Sequence, residues 1–500
     1  MIAWLQRWSV WLAFPLGAVL ALAFAPFNVW PLAILCPAAL LLMWEGAAPR
    51  RAAQLGFWFT AGLFLAGTYW IYHSVHVIGN APIWVAFFLM AAMISILSGY
   101  SALYGYFQAR WLPESGLLRW VVVLPAGWVI VEWFRGWFMS GFPWLALGYT
   151  QLDTPLAHIA PVLGVYGISL FVMVSAGAVA AIVLARGRMR AVALILAVLP
   201  WLAGFALHGR VWTQSIGEPV TVAIVQGAVP QEMKWSLEQR DRTLDLYRRL
   251  TEPHFKAQII LWPEAALPDL AHALVDYLQL LWRDANGAGS VVVMGLLHQD
   301  PETGRVFNGV LALGEDVQWY DKRRLVPFGE YFPVPAFVRQ WLRLMNLPNT
   351  DISAGQKTQP ALRVAGQLLG VTICYEDAYG SMQLEVLREA TLLVNVTNDA
   401  WFGDSTAPHQ HLGISRMRAL EAGRPLMRGA NDGVTALITY DGKVVSMLPQ
   451  FEPGVLTGIV QPRTGLTPYA RIGNWAVLTT CLVLIVVGAG AIRYRRHRRL

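Results

Sequence analysis

The feature that most constrains this chain is where its charges are missing. Long apolar runs fill the N-terminal part, up to about residue 207, and return at residues 475–492, while the stretch between them has an ordinary mix of polar and apolar side chains. Over the whole sequence only 14% of residues are charged and 56% are hydrophobic, and the mean hydropathy is +0.45. Soluble globular chains carry about 25% charged residues. Much of this chain must therefore meet lipid, and a wholly soluble fold is excluded.

Eight apolar segments read as transmembrane helices: residues 10–24, 30–44, 55–78, 82–107, 117–134, 161–185, 191–207 and 475–492. Ala23-Phe24-Ala25 mimics a signal-peptidase site, but Pro26 and the apolar run that follows argue for a retained first span. The arginines sort by loop. Arg50 and Arg51 follow the second span, Arg110 and Arg119 flank the loop after the fourth, and Arg186, Arg188 and Arg190 lie after the sixth. A run of arginines from Arg493 to Arg499 follows the eighth. By the positive-inside rule both termini are cytoplasmic, and the insert between the seventh and eighth spans lies outside the cytoplasm. The net charge of +7 is thus a topology signal before it is a nucleic-acid signal. Glu45, His73, His76, Glu132 and His158 fall in or near span ends, where interfacial solvation is a simpler reading than a transport path. The expected organisation is residues 1–212 as seven helices, 218–468 as an extramembrane domain, 474–493 as a last helix and 494–500 as a basic tail.

The extramembrane stretch alternates strand-like and helix-like patterns and reads as α/β. Strands are expected at 220–226, 258–262, 290–297, 308–313, 317–321, 367–372, 391–397, 435–439 and 454–460, and helices at 237–256, 270–286, 381–388 and 406–422. Three cysteines cannot make a disulfide framework, and Cys374 alone lies outside the apolar segments. No Walker-type loop or zinc spacing is present. His409 and His411 on one helix do not face each other, so no metal and no cofactor is expected.

Three strand ends carry chemistry. Ile259-Ile-Leu-Trp-Pro-Glu264 ends in a carboxylate, Trp319-Tyr-Asp-Lys322 in an ammonium, and Val371-Thr-Ile-Cys374 in a thiol followed by Tyr375, Glu376 and Asp377. Singly each is weak. In this order on an α/β scaffold they resemble the Glu–Lys–Cys set of the nitrilase superfamily, an α-β-β-α sandwich. Further phrases sharpen the match: Leu325-Val-Pro-Phe-Gly-Glu330, Asn398-Asp-Ala-Trp-Phe-Gly403 and Arg428-Gly-Ala-Asn431. With seven spans before this domain and one after, the chain resembles the apolipoprotein N-acyltransferase family over essentially its full length.

That resemblance implies a multi-pass enzyme of the bacterial inner membrane with its catalytic domain in the periplasm. Cys374 would attack the sn-1 ester of a phospholipid, preferably phosphatidylethanolamine, and hold the acyl chain as a thioester. Glu264 would act as general base, and Lys322 would stabilise the oxyanion. Glu330 would support Lys322. The α-amine of a diacylglyceryl-cysteine on an apolipoprotein would then take the acyl chain, without ATP, as the last step of lipoprotein maturation. The resemblance makes Trp235 and Trp401 pocket walls or lid residues. Tyr375 packs or positions. Glu376 either lines the pocket, where it meets the headgroup ammonium, or pairs with a neighbouring arginine. Arg428 and Asn431 read as structural supports. The expected partners are a phospholipid donor, the apolipoprotein acceptor and the bilayer, with no nucleic acid and a monomeric chain. Residues 325–347 are rich in Pro, Phe, Trp and Leu and read as an interfacial arm, with Phe337 and Trp341 dipping into the leaflet. Two other readings share parts of this pattern. A tethered amidase using water would keep the catalytic set but needs only one span, and a transporter that had lost catalysis would not need Glu264, Lys322 and Cys374 together.

Overall fold

The computed structural model describes residues 2–112, 115–327, 329–331 and 352–497. The chain divides into two compact units. One comprises Met1–Tyr72, Ile83–Arg210 and Ile472–Leu500, and the other His73–Pro82 with Val211–Arg471.

The first unit is helical. Each of the eight expected spans falls on helix, but not all of these helices are of spanning length. Ile83–Trp111, Pro155–Leu184, Arg188–Ala206 and Trp475–Ile492 are long and apolar enough to cross a bilayer, while Val10–Ala23 and Leu32–Trp44 are apolar but shorter. Among the described residues, length and composition thus support four spans rather than eight. The remaining segments fall short for visible reasons. Helix Pro49–Gly67 opens on Pro-Arg-Arg and stops at Gly67, well before the expected end of the third span. The fifth is split into a π-helical turn, Arg119–Val123, and a helix, Leu124–Arg135, that carries Glu132 and Arg135. Two acids expected at the interface instead find partners within this unit. Glu45 Oε2 accepts from Arg119 Nη1 at 2.7 Å and from Trp120 Nε1 at 2.8 Å. Buried Glu132 accepts from the Leu147 backbone N–H at 2.9 Å.

Besides a short pair, Gln214–Ser215 with Arg463–Thr464, the second unit is built from two six-stranded sheets. Its strands are β1 (Val220–Gln226), β2 (Ile259–Trp262), β3 (Val291–Gln299), β4 (Val306–Leu313), β5 (Val317–Asp321), β6 (Leu362–Val364), β7 (Gln367–Ile373), β8 (Leu392–Thr397), β9 (Leu426–Ala430), β10 (Ala436–Ile438), β11 (Val444–Met447) and β12 (Gly454–Val460). One sheet runs β12-β1-β2-β3-β4-β5, the other β11-β10-β9-β8-β7-β6. The central strands β1, β2 and β3 are parallel, as are β7, β8 and β9. Parallel strands buried on both faces read as continuous apolar runs, and Ile259–Trp262 and Leu392–Thr397 are buried at every position.

The sheets pack face to face. Val222, Ile224, Leu261, Val293 and Val310 share one core with Val371, Ile373, Val394, Val396 and Met427. The outer face of the first sheet is covered by α1 (Leu237–Thr251) and α2 (Val275–Gly287), through Tyr247, Leu278 and Leu281. The outer face of the second is covered by α3 (Ala407–Ala422), through Ala419 and Ala422. This is the α-β-β-α sandwich that the resemblance implied.

Some expectations fail locally. The helix expected at 381–388 is only two short 3-10 turns, Gly380–Met382 and Val386–Arg388, because so short a segment cannot repay helix nucleation. Strands β6, β9 and β11, of three, five and four residues, have no counterpart among the expected strands. Phe337 and Trp341 of the expected arm lie outside the described residues. His73 and His76 do not sit in a span. They belong to the π-turn His73–Ile78, grouped with the α/β unit. There Ser74 Oγ donates to the Trp401 carbonyl at 2.7 Å. Gly403 is at φ +55°, and an added Cβ would lie 2.4 Å from the His73 ring, so both its backbone and its neighbour require glycine.

Candidate active site

Open α/β sheets place ligands beyond the carboxyl ends of their parallel strands. Those ends deliver the functional groups here. Glu264 follows β2 by two residues, Cys374 follows β7 directly, and Asn398 follows β8 directly. Lys322 follows β5, an antiparallel strand whose register against β4 continues into the Lys322 N–H to Asn308 carbonyl bond at 2.8 Å.

Lys322 is 1% exposed and joins two carboxylates. Its Nζ donates to Glu264 Oε1 at 3.1 Å and to Glu330 Oε1 at 2.8 Å. Burial works against the ammonium, but Glu264 and Glu330 outweigh it and hold the Lys322 pKa well above its usual value. Asn308 Nδ2 bridges the same pair, at 2.7 Å from Glu264 Oε1 and 3.1 Å from Glu330 Oε1. The other Glu264 oxygen accepts from the Asn398 backbone N–H at 2.9 Å. Glu330 Oε2 accepts from the Val326 backbone N–H at 2.8 Å, which closes the loop over Lys322.

Cys374 is 8% exposed, and its backbone sits at φ +50°. A non-glycine residue in that region stores strain and persists only where its surroundings fix it. Burial, and then the nearby Glu264 charge, push its thiol well above the usual range, while Lys322 opposes them. Cys374 is therefore held as the neutral thiol, and an attack by its sulfur would need a base. Glu264, Lys322 and Cys374 thus occupy one electrostatically coupled site, with Glu330 joined to it through Lys322.

The other expected residues divide. Tyr375 is half-buried and packs edge-on against Tyr379 at 5.3 Å. Trp235 is 48% exposed, on the loop after β1, beside a buried Lys234 that reaches the Glu264 carbonyl at 3.4 Å. Trp401 is part-buried in the turn Asp399–Phe402. Glu376 is fully buried and has no open face. Oε1 accepts from the backbone N–H groups of Arg323 and Arg324, and Oε2 from Ile373 N–H and Tyr320 Oη at 2.9 Å each. Neither sequence-level role for Glu376 describes these contacts, because its arginine neighbours present backbone rather than guanidinium. Arg428 and Asn431 do brace the site: Arg428 Nη2 donates to Asp399 at 2.7 Å, and Asn431 Nδ2 to the Val229 carbonyl at 2.8 Å.

Two groups were missed. Asn308 lies at the start of an ordinary strand and had no local signal. His411 was weighed only as a metal ligand beside His409. Among the described residues no cluster of His, Cys, Asp and Glu suits a metal ion.

Family models match both halves of the chain: the apolipoprotein N-acyltransferase N-terminal domain over residues 16–178 and the carbon-nitrogen hydrolase domain over residues 221–469. The apolipoprotein N-acyltransferase of Methylococcus capsulatus is 40% identical over 485 residues, covering 97% of this chain and 95% of its own. The chain belongs to the apolipoprotein N-acyltransferase family. Two further relatives bearing that name agree. The one from Pseudomonas putida is 39% identical and covers 95% of each chain, and the one from Vibrio parahaemolyticus is 38% identical and covers 92% of each. Glu264, Lys322, Glu330 and Cys374 all lie within the carbon-nitrogen hydrolase match.

Proposed function

We propose that this protein is an apolipoprotein N-acyltransferase working by a ping-pong mechanism. The observation that carries the reading is the buried Glu264–Lys322–Glu330 cluster, coupled to a strained, protonated Cys374.

Cys374 Sγ attacks the sn-1 ester carbonyl of a phospholipid, with phosphatidylethanolamine the preferred donor. Glu264 takes the thiol proton as the C–S bond forms. The ammonium of Lys322, held protonated by two carboxylates, stabilises the developing oxyanion. The intermediate collapses by breaking the ester C–O bond, the leaving alkoxide takes the proton from Glu264, and lysophospholipid departs. The free α-amine of S-diacylglyceryl-cysteine on a lipoprotein then attacks the thioester. Glu264 removes the amine proton, the C–S bond breaks, and the thiolate is reprotonated. A thioester suits aminolysis, so no energy source beyond the donor ester is required. Glu330 keeps Lys322 in place, while Trp235, Tyr375 and Trp401 border the substrates. This is the last step of lipoprotein maturation. We place the enzyme in the bacterial inner membrane as a multi-pass monomer, both termini cytoplasmic and the α/β unit periplasmic. Support comes from the loop arginines and the family membership.

The test uses detergent-solubilised protein with phosphatidylethanolamine labelled in either the sn-1 or the sn-2 chain, and a diacylated lipopeptide. Label from sn-1 appearing as an amide on the lipopeptide supports the reading. Free fatty acid without amide would instead assign a hydrolase.

A further inference from the structure

At the Cys374 carbonyl lies a buried ionic cluster that the mechanism above does not use. His411 on α3 is 1% exposed. Its Nδ1 is 2.9 Å from Asp399 Oδ1, and its Nε2 is 2.9 Å from Asp377 Oδ1 and 3.2 Å from the Cys374 carbonyl. Carboxylates only accept, so acceptors at both ring nitrogens require both to carry protons. The ring is an imidazolium. Arg428 supplies the second cation, donating to Asp399 Oδ2 at 2.7 Å, to Asn395 Oδ1 at 2.6 Å and to Ser415 Oγ at 3.0 Å. Ser415 donates in turn to Asp377 Oδ2. Two buried carboxylates thus face two buried cations.

The cluster touches the reacting residue at its backbone. The Cys374 carbonyl receives His411 Nε2 and, at 3.4 Å, Asn395 Nδ2. Cys374 is the residue held at φ +50°. Because the peptide unit is planar and trans, fixing that carbonyl also fixes the Tyr375 N–H on the opposite edge. A cationic donor on the carbonyl also polarises the amide and makes its N–H a better donor.

We propose that His411 is a positioning residue for acyl transfer, locking the Cys374–Tyr375 peptide so that the thiol and the Tyr375 N–H keep the orientation the tetrahedral intermediate requires. The inference rests on Cys374 being the nucleophile. What it adds is the part of His411, which holds that peptide through the Cys374 carbonyl.

The test compares two reactions of one thiol. Acylation by phospholipid passes through an oxyanion, whereas alkylation by iodoacetamide does not. In His411→Gln the acylation rate should fall by roughly tenfold or more, approaching the ~10²-fold cost of losing an oxyanion donor. Apparent KM for the donor should hold, and alkylation should change by less than about threefold. Equal losses in both reactions, tracking a fall in Tm, would overturn the proposal, as would unimpaired acylation. His411→Gln leaves excess negative charge behind, so a second variant, His411→Gln with Asp399→Asn, restores the balance. It should recover stability but not acylation, and recovery of both overturns the proposal. Should neither variant fold, the native protein decides. Asp377 from the turn Cys374–Ala378, Asp399 after β8 and Arg428 from β9 face the ring; burial and then Arg428 oppose its charge, but the two carboxylates prevail and raise its pKa to about 9. With alkylation corrected for the measured thiolate fraction, the ratio of acylation to alkylation should fall as pH rises through that value, and a flat corrected ratio from about pH 7 to 10 would refute it. Cys374→Ala separates the premises: if the native protein forms no adduct that this variant lacks, the nucleophile reading fails instead.

Discussion

Two buried ionic clusters flank Cys374, and they are wired differently. In front, Glu264 and Glu330 share one ammonium, Lys322, and one neutral amide, Asn308. Behind, Asp377 and Asp399 are matched one for one by His411 and Arg428. The front carboxylates keep some exposure, with side chains 8% and 13% exposed, whereas those behind are sealed at 0%. On the proposed mechanism the front cluster must accept and return a proton, and it has two carboxylates to one ammonium and some exposure. A site that must hold a strained backbone is neutral and closed, since an unpaired charge there is costly. The same residue types thus give a reactive centre on one side and a clamp on the other.

The largest expected effects break the front cluster. Glu264→Gln keeps acceptor and donor shape but cannot take a proton, and should slow acyl-enzyme formation by about 10²–10⁴-fold. Lys322→Met should cost about 10²–10³-fold through the oxyanion. Rapid-quench acylation measures both, and native rates in Glu264→Gln would make the front cluster merely structural. Breaking the rear cluster should cost stability first. Arg428→Met leaves Asp399 with an unmatched partner and should destabilise the protein by about 3–5 kcal/mol, read by denaturant melts in detergent.

Proton linkage sharpens the contrast. Burial opposes the Asp399 carboxylate, but Arg428 and His411 prevail and hold its pKa down to about 2, while that of His411 is raised to about 9. The Asp399 contribution is complete above its unfolded value and is lost as pH falls through about 2. That of His411 is complete below its unfolded value and is lost as pH rises through about 9. Thermal stability should therefore decline at the alkaline end, and the double variant His411→Gln with Asp399→Asn should lack that decline. The smallest effect belongs to the link between strand ends. Tyr320→Phe removes one of the donors to Glu376 and should cost about 1–3 kcal/mol, with the acylation rate nearly unchanged. A large rate loss would mean that Glu376 acts in the chemistry after all.

The reactive side was legible because each of its residues closes a short local phrase: Trp-Pro-Glu264, Tyr-Asp-Lys322, Ile-Cys374. A buried strand that stops at a polar residue marks itself in one dimension. The clamp was not legible, because its members come from the turn Cys374–Ala378, the turn after β8, α3 and β9, and meet only when α3 packs on the second sheet. His411 looked like half of a metal pair, since its true partners are distant in sequence. Asn308 was hidden for a related reason: only the β4–β5 register sets it against Lys322. The helical unit was read too simply. Hydropathy located the helices, but the pairing of Glu45 with Arg119 lets polar residues sit inside a helical unit, and a span count from apolar runs does not see it.

The most direct test of the account is the intact mass of the purified protein after incubation with phosphatidylethanolamine, beside Cys374→Ala. The account predicts a gain of one acyl chain on the native protein alone, discharged by a diacylated lipopeptide with formation of the amide. Lipopeptide acylation that proceeds with no adduct on the native protein, or equally well in Cys374→Ala, would contradict it.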